Sequence, residues 1–158
     1  MIIRDAVWPA DRDTALGFIE GLQRYEHSVE PNRRIDAAVA QEYFDVLMKA
    51  VTENGGIVRI AEFKGRAVGW AVAWPDLDEI YVREEERRFL YISELYVEED
   101  TRGRGVGRAL ITTCEGWAQA RGLRQVRIGV LTANARAAHV YEQAGFAPYA
   151  LRLSKRLD

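Results

Sequence analysis

Residues 90–122 constrain this chain more than any other part of it. Leu90-Tyr91-Ile92-Ser93-Glu94-Leu95-Tyr96-Val97 is rich in aromatic and β-branched side chains and reads as a buried strand. Arg102-Gly103-Arg104-Gly105-Val106-Gly107 follows. Beyond it Leu110, Ile111, Cys114, Trp117 and Ala118 recur on one face at helical spacing, and Gly122 stands where a left-handed terminating residue belongs. The pattern is strand, glycine loop, helix. A helix entered from such a loop presents amides without internal partners at the positive end of its dipole, which together suit an anion. Glycine at 103, 105 and 107 lets the backbone turn tightly and approach a ligand, and Arg102, Arg104 and Arg108 add forked donors that match phosphate oxygens. The junction is suited to a pyrophosphate.

Spacing narrows the choice of ligand. A dinucleotide fingerprint starting at Gly103 needs a small residue where Arg108 stands, and the Gly-Lys-Ser/Thr of a P-loop occurs nowhere. Arg102-x-x-Gly105-x-Gly107, placed directly after a strand ending Glu94-Leu95-Tyr96-Val97, resembles the acetyl-CoA loop of the GNAT superfamily, the Gcn5-related N-acetyltransferases, which reads Arg/Gln-x-x-Gly-x-Gly/Ala.

The remaining segments supply a mixed α/β arrangement. Residues 1–6 read as a first strand. Pro9, Asp11 and Asp13 introduce a helix carrying Ala15, Leu16, Phe18, Ile19 and Leu22, which fades near Tyr25-Glu26-His27. After Pro31-Asn32, Asp36 caps a second helix with Ala40, Tyr43, Phe44, Leu47, Met48 and Val51 at core spacing, ended by Gly55-Gly56. Runs at 57–63 and 66–74, separated by Lys64-Gly65, form a hairpin signal. The acidic stretch 75–88, with Asp76, Asp78, Glu79 and Glu84 to Glu86, reads as a solvated loop containing a helical turn. Alternation in 125–131 predicts a strand, 135–144 a helix closed by Gly145, and Tyr149, Leu151 and Leu153 a last strand. The order β-α-α-β-β-β-α-β-α-β resembles the GNAT fold, a central mixed β-sheet flanked by helices, across nearly the whole chain.

At 158 residues the expectation is one domain, 1–158, large enough to bury roughly two-thirds of its unfolded surface. A formal net charge of −2 with both signs interspersed argues against a nucleic-acid partner held by bulk electrostatics. The single Cys114 has no internal disulfide partner and, on the apolar helix face, reads as a small buried hydrophobe. There is no charged-then-apolar leader and no apolar run long enough for a bilayer, so the expected setting is cytoplasmic, with no membrane partner. Two histidines and no paired Cys or acidic spacing argue against a metal site.

The resemblance assigns roles to particular residues. Asn134 and Tyr141 lie two helical turns apart on one face, with Ala137 between them. In the family an Asn at this point contacts the pantetheine arm of acetyl-CoA and a Tyr stands beside the thioester sulfur, where its hydroxyl serves the departing thiolate as general acid. The resemblance also implies that the backbone of Leu95, Tyr96 and Val97 pairs with pantetheine as an added strand, beside a bulge where this strand splays from the next. It implies that Arg102, Gly103, Arg104, Gly105, Val106, Gly107 and Arg108 hold the diphosphate. Glu94 is the first candidate for the base that deprotonates the acceptor amine, because the family often draws a carboxylate from this strand. Glu26 and His27, in the bend where the family builds its acceptor pocket, come next. The acceptor is expected to be a small-molecule or peptide amine, and homodimers are common in the family. A non-catalytic acetyl-CoA sensor would carry the same loop; Tyr141 and Glu94 favour the enzyme.

Overall fold

The computed structural model describes residues 1–157. Five strands form one sheet in the order β1-β2-β3-β4-β5, made of β1 (Ile2–Asp5), β2 (Ile57–Phe63), β3 (Arg66–Leu77), β4 (Arg88–Val97) and β5 (Val126–Ile128). Four helices flank it: α1 (Arg12–Val29), α2 (Ala37–Asn54), α3 (Val106–Gln119) and α4 (Ala135–Gln143). Neighbouring strands are antiparallel except β4 and β5, which are parallel because α3 carries the chain back across the sheet between them.

Local chemistry fixes the element ends. The Asp36 carboxylate accepts from the Val39 amide at 3.2 Å and starts α2, and Gly55, at a φ of 63°, ends it. Lys64 and Gly65 both have positive φ, 52° and 76°, the geometry that a two-residue hairpin between twisted strands demands.

Each face of the sheet is covered by its own apolar layer. On one, Leu110, Cys114 and Trp117 of α3 pack against Val68, Ala71, Leu90 and Ile92. On the other, Phe18 and Ile19 of α1 and Phe44 and Leu47 of α2 pack against Val58, Ile60, Trp70, Val72 and Tyr96. Each large side chain fully removed from water contributes about 1.5–3 kcal/mol of transfer free energy, so the two layers hold the sheet rigid between them.

One irregularity sets up everything at the functional end. Opposite β3, Val72 pairs with Glu94 but Ala73 pairs with Ile92, so Ser93 is an extra residue without a partner, a β-bulge. Side chains two apart on a regular strand share a face, and Leu90 and Ile92 do face α3. Past the bulge the alternation is inverted, and Tyr96 belongs to the α1–α2 layer while Leu95 and Val97 border the α3 layer. β5 pairs only with Leu90–Ile92, before the bulge, and the two parallel strands part beyond it.

Three expectations need correction. The ladder with β4 ends at the bulge, so β5 is Val126–Ile128 rather than 125–131. β3 runs on to Leu77 rather than stopping at residue 74, because Pro75, Asp76 and Leu77 continue the ladder against Leu90, Phe89 and Arg88. Tyr149, Leu151 and Leu153 form no strand: they are 68%, 70% and 83% exposed and pair with no neighbour among the described residues. Alternation makes a strand only where a sheet edge receives it. Instead the Tyr149 ring stacks over the Arg127 guanidinium at 4.2 Å. The turn at Glu84–Glu86 is present as a 3-10 helix, and Asp78 is held by Arg127 in a two-pronged ion pair at 2.9 and 2.5 Å.

The closeness of β3 and β4 is set at Gly69, where an added Cβ would lie 2.5 Å from the Tyr96 carbonyl oxygen. Gly69→Ala is therefore expected to lower the unfolding free energy by about 1–3 kcal/mol in denaturant titration. Gly116→Ala, exposed on α3 with nothing within 4 Å, is expected to raise it by about 0.5–1 kcal/mol.

Candidate active site

The parting of β4 from β5 opens a cleft of about 520 Å³. One wall is β4 past the bulge, with Leu95, Tyr96 and Val97; the opposite wall is the chain leaving β5, with Gly129, Val130 and Leu131. The start of α3 closes one end and α4 covers the other.

At the α3 end the backbone is held open for an anion. Gly103 and Gly105 have φ of 76° and 80°, a region costly for any other residue, and no side chain caps the helix. The amides from Gly103 to Arg108 find no acceptor among the described residues, and Gly103, Gly105, Val106, Gly107 and Arg108 line the cleft. Arg102 lines it too. Its Nε donates to the Val97 carbonyl at 2.8 Å and its guanidinium lies 5.3 Å from the Tyr25 ring and 5.8 Å from the Tyr96 ring, which leaves its terminal nitrogens for a ligand. Arg104 points elsewhere, over the Phe63 ring at 5.7 Å, and does not line the cleft. A row of free amides at a helix start beside an arginine fits a diphosphate.

At the α4 end, Asn134, Ala137 and Tyr141 all line the cleft. Asn134 caps α4: its Oδ1 accepts from the Ala137 amide at 3.1 Å and from the Tyr25 hydroxyl at 3.1 Å, leaving its amide nitrogen uncommitted. Tyr141 packs edge-on against Phe146 with centroids 6.0 Å apart, yet its hydroxyl has no hydrogen-bond partner among the described residues. Burial first, then the charges of Glu94 and Glu26, push its phenol well above the usual value, so it stays protonated and keeps a hydroxyl proton to donate.

Glu94 lies between the lining residues Ser93 and Leu95 and is 5% exposed. The bulge turns it toward α2, where the Tyr43 hydroxyl donates to its Oε1 at 2.5 Å; its Oε2 is buried with no partner among the described residues. Desolvation raises its pKa to about 7, the Tyr43 hydrogen bond pulls the other way, and the Glu26 charge adds to the rise. Glu26 also lines the cleft and pairs with Arg33 at 2.9 Å. His27 does not: its Nδ1 is 2.8 Å from the Arg33 carbonyl oxygen, and it fastens the end of α1. Cys114 is fully buried beneath α3 and its thiol is pushed up to about 12, by burial above all, which suits packing and not nucleophilic chemistry.

The profile of the acetyltransferase (GNAT) family matches residues 22–146, which takes in the lining of the cleft from Leu22 to Gln143. The chain belongs to the GNAT family. An uncharacterized N-acetyltransferase of Methanocaldococcus jannaschii is 37% identical over 107 residues, 68% of this chain and 45% of that protein. Human N-acetyltransferase 8B is 26% identical over 72% of this chain and 48% of its own length. The chain thus spans about half the length of the curated relatives it matches. Among solved structures, a tetramutant of a Bacillus halodurans protein superposes with a TM-score of 0.85 at 19% identity, covering 99% of this chain and 100% of that one. Glucosamine-6-phosphate N-acetyltransferase from Arabidopsis thaliana superposes with a TM-score of 0.67 at 12% identity, covering 99% and 98%. These likenesses show the fold.

Two residues tied to this GNAT site, Tyr25 lining the cleft and Tyr43 behind it, are not singled out by the sequence alone. Tyr43 falls at core spacing with Phe44 and Leu47, and nothing local reveals that its hydroxyl reaches across to β4; Tyr25 sits where α1 was expected to fade, whereas the helix continues to Val29. The signal that could have found Tyr43 is the combination of a polar tip on an apolar stripe with a carboxylate in a buried strand, since each needs the other. No group of three or more His, Cys, Asp or Glu able to hold a metal occurs among the described residues, and no helix there is long and apolar enough to cross a membrane.

The buried Glu94 leaves a thermodynamic mark. Its carboxyl binds a proton more tightly folded than unfolded, so its contribution is fully present below about pH 4.5 and is lost as pH rises through about 7. Relative to Glu94→Gln, the wild-type protein should lose about 3 kcal/mol of unfolding free energy between pH 4.5 and pH 8. A pH-independent difference in paired denaturant titrations would contradict the buried, strained carboxyl.

Proposed function

We propose that this GNAT chain acts as one catalytic domain, an acetyl-CoA-dependent N-acetyltransferase in which an acceptor amine attacks the thioester directly in a ternary complex. The observation that carries the reading is one cleft with helix amides that have no acceptor among the described residues at one end and, at the other, the Tyr141 phenol, likewise without a partner among them, with the buried Glu94 carboxyl between the lining residues Ser93 and Leu95. The curated relatives named N-acetyltransferases support the reaction class.

Acetyl-CoA would supply an acetyl group activated as a thioester, with a thiolate as leaving group. The amides of Gly103 to Arg108 and the free nitrogens of Arg102 would hold its diphosphate. The β4 backbone at Leu95, Tyr96 and Val97 would pair with the pantetheine arm as a strand, and the Asn134 amide nitrogen would donate to it. An amide of Tyr96 or Val97 would meet the negative charge that gathers on the thioester oxygen.

Glu94 is the base. An alkyl ammonium has a pKa of about 10 and no lone pair, so before attack it gives a proton to Glu94, half ionised near neutrality, directly or through a water; the second N–H proton, lost as the tetrahedral adduct collapses to the amide, goes to the departing sulfur. As the C–S bond breaks, the electron pair goes to sulfur and Tyr141 donates to it. Because burial has made its phenol a weaker acid than a thiol of pKa about 8.5, Tyr141 contributes chiefly a hydrogen bond in a water-poor site, worth about 10²- to 10³-fold. The buried Cys114 speaks against an acetyl-enzyme. Glu26 borders the acceptor, an amine of a small molecule or peptide, and His27 supports the α1 end from behind.

The test is release of free CoA thiol across a panel of peptide, polyamine, aminoglycoside and amino-acid amines. With an accepted amine, Tyr141→Phe should lower kcat about 10²-fold or more with acetyl-CoA affinity within a few-fold, and unchanged turnover would remove Tyr141 from the chemistry. Gly105→Val, which forces a β-branched residue to a φ of 80°, should abolish acetyl-CoA binding in calorimetry; retained tight binding would refute the loop assignment. Thiol release with no member of the panel, together with intact binding, would favour a sensor.

A further inference from the structure

We infer that Tyr43 of α2 is the positioning residue for the base: its hydroxyl holds one oxygen of Glu94 and leaves the other, which has no partner among the described residues, to take the proton. The inference rests on reading Glu94 as the base and adds a residue from a different helix to that reading.

Three observations converge. The hydrogen bond from Tyr43 to Glu94 Oε1 is 2.5 Å long, within the range of O–H donors to an ionised carboxylate, and spans 51 residues of sequence from α2 to β4. Glu94 Oε2 is inaccessible and unpartnered, in a site where an unpaired carboxylate oxygen is costly unless a ligand meets it. The Ser93 bulge is what aims Glu94 at α2, since a regular strand would place it with Ile92 under α3.

The groups around Glu94 act with unequal sign. From α1, Glu26 faces it and opposes its ionisation; from α4, Tyr141 faces it as a neutral phenol; from its own strand, Tyr91 does the same; and its partner on β3 is Val72, which carries no charge. Among the described residues only Tyr43 donates to it. Burial and the Glu94 charge push the Tyr43 phenol well above the ordinary value, so it remains a donor over the whole working range. Tyr43 therefore favours the ionised, proton-accepting form of Glu94 and fixes which oxygen works.

Removal of the hydroxyl in Tyr43→Phe keeps the ring and takes away the one donor to Glu94 among the described residues. Glu94 should then hold its proton more tightly, and its titration should move up by about 1–2 pH units. The readout needs no acceptor: ¹³C NMR titration of intact protein labelled at the glutamate carboxyl carbons, with Glu94→Gln to assign the signal. A Glu94 midpoint near 7 that rises in Tyr43→Phe supports the inference. A midpoint near 7 that Tyr43→Phe leaves in place overturns it while sparing Glu94 as base, whereas an ordinary midpoint near 4.5 in the wild type overturns the reading of Glu94 itself. Should Tyr43→Phe fail to fold, the Tyr43 Cζ signal of the unsubstituted protein decides. It should follow the Glu94 midpoint, and a Tyr43 signal blind to that titration overturns the contact. With an accepted amine, the variant's kcat/KM should be about tenfold or more below wild type at pH 7 and recover toward pH 9, which a merely structural loss would not do.

Discussion

The unpaired Ser93 in β4 is the constraint from which the cleft follows. One extra residue opposite β3 ends the parallel pairing with β5 and inverts the side-chain alternation beyond it. The first effect separates two strands that would otherwise bond edge to edge, leaving backbone between them for a ligand to pair with. The second takes a carboxylate that would have been buried under α3 and turns it into the α1–α2 layer, where a phenol waits for it. Neither effect needs an unusual residue type. Both depend on the sheet being rigid on either side of the irregularity, and the two apolar layers that sandwich it provide that rigidity.

The cleft's two ends are electrostatically opposite. At the start of α3, amides, a helix dipole and Arg102 make a region that favours negative charge and is half open to water. At the α4 end, Glu94 and Glu26 stand near one another in a drier setting, with phenols from Tyr43 and Tyr141 as donors. Under the proposed reading a molecule with an anionic tail and a neutral acyl head would be oriented by that contrast. A cationic amine would, on the same reading, be drawn to the other end, where the carboxyl of raised pKa would take its proton.

Much of this was legible in the sequence, for identifiable reasons. The strand, glycine loop and helix of 90–122 announce themselves because local sterics and helix periodicity act within a few residues, and the Lys64-Gly65 hairpin and the Asp36 cap are equally local. Of the residues located by resemblance, Asn134 and Tyr141 line the cleft, while Glu94 does not line it and is buried between the lining residues Ser93 and Leu95. What escaped depends on partners distant in sequence. The alternation at Tyr149, Leu151 and Leu153 carries a strand signal, yet these residues join neither edge of the sheet. The span of β5 was overestimated because the bulge that shortens it lies in another strand. Tyr43 is a core residue by spacing and a polar one by a contact 51 positions away. His27 and Arg104 share the chemistry of their neighbours yet are spent on Arg33 and Phe63.

The central claim is that β4, freed from β5 by the bulge, receives the pantetheine arm while the start of α3 receives the diphosphate. Amide hydrogen exchange with and without acetyl-CoA tests it most directly. The account expects new protection confined to residues 94–97 and 103–108, with the β2–β3 ladder unchanged. Saturable binding that leaves both of those segments exchanging as before would contradict it.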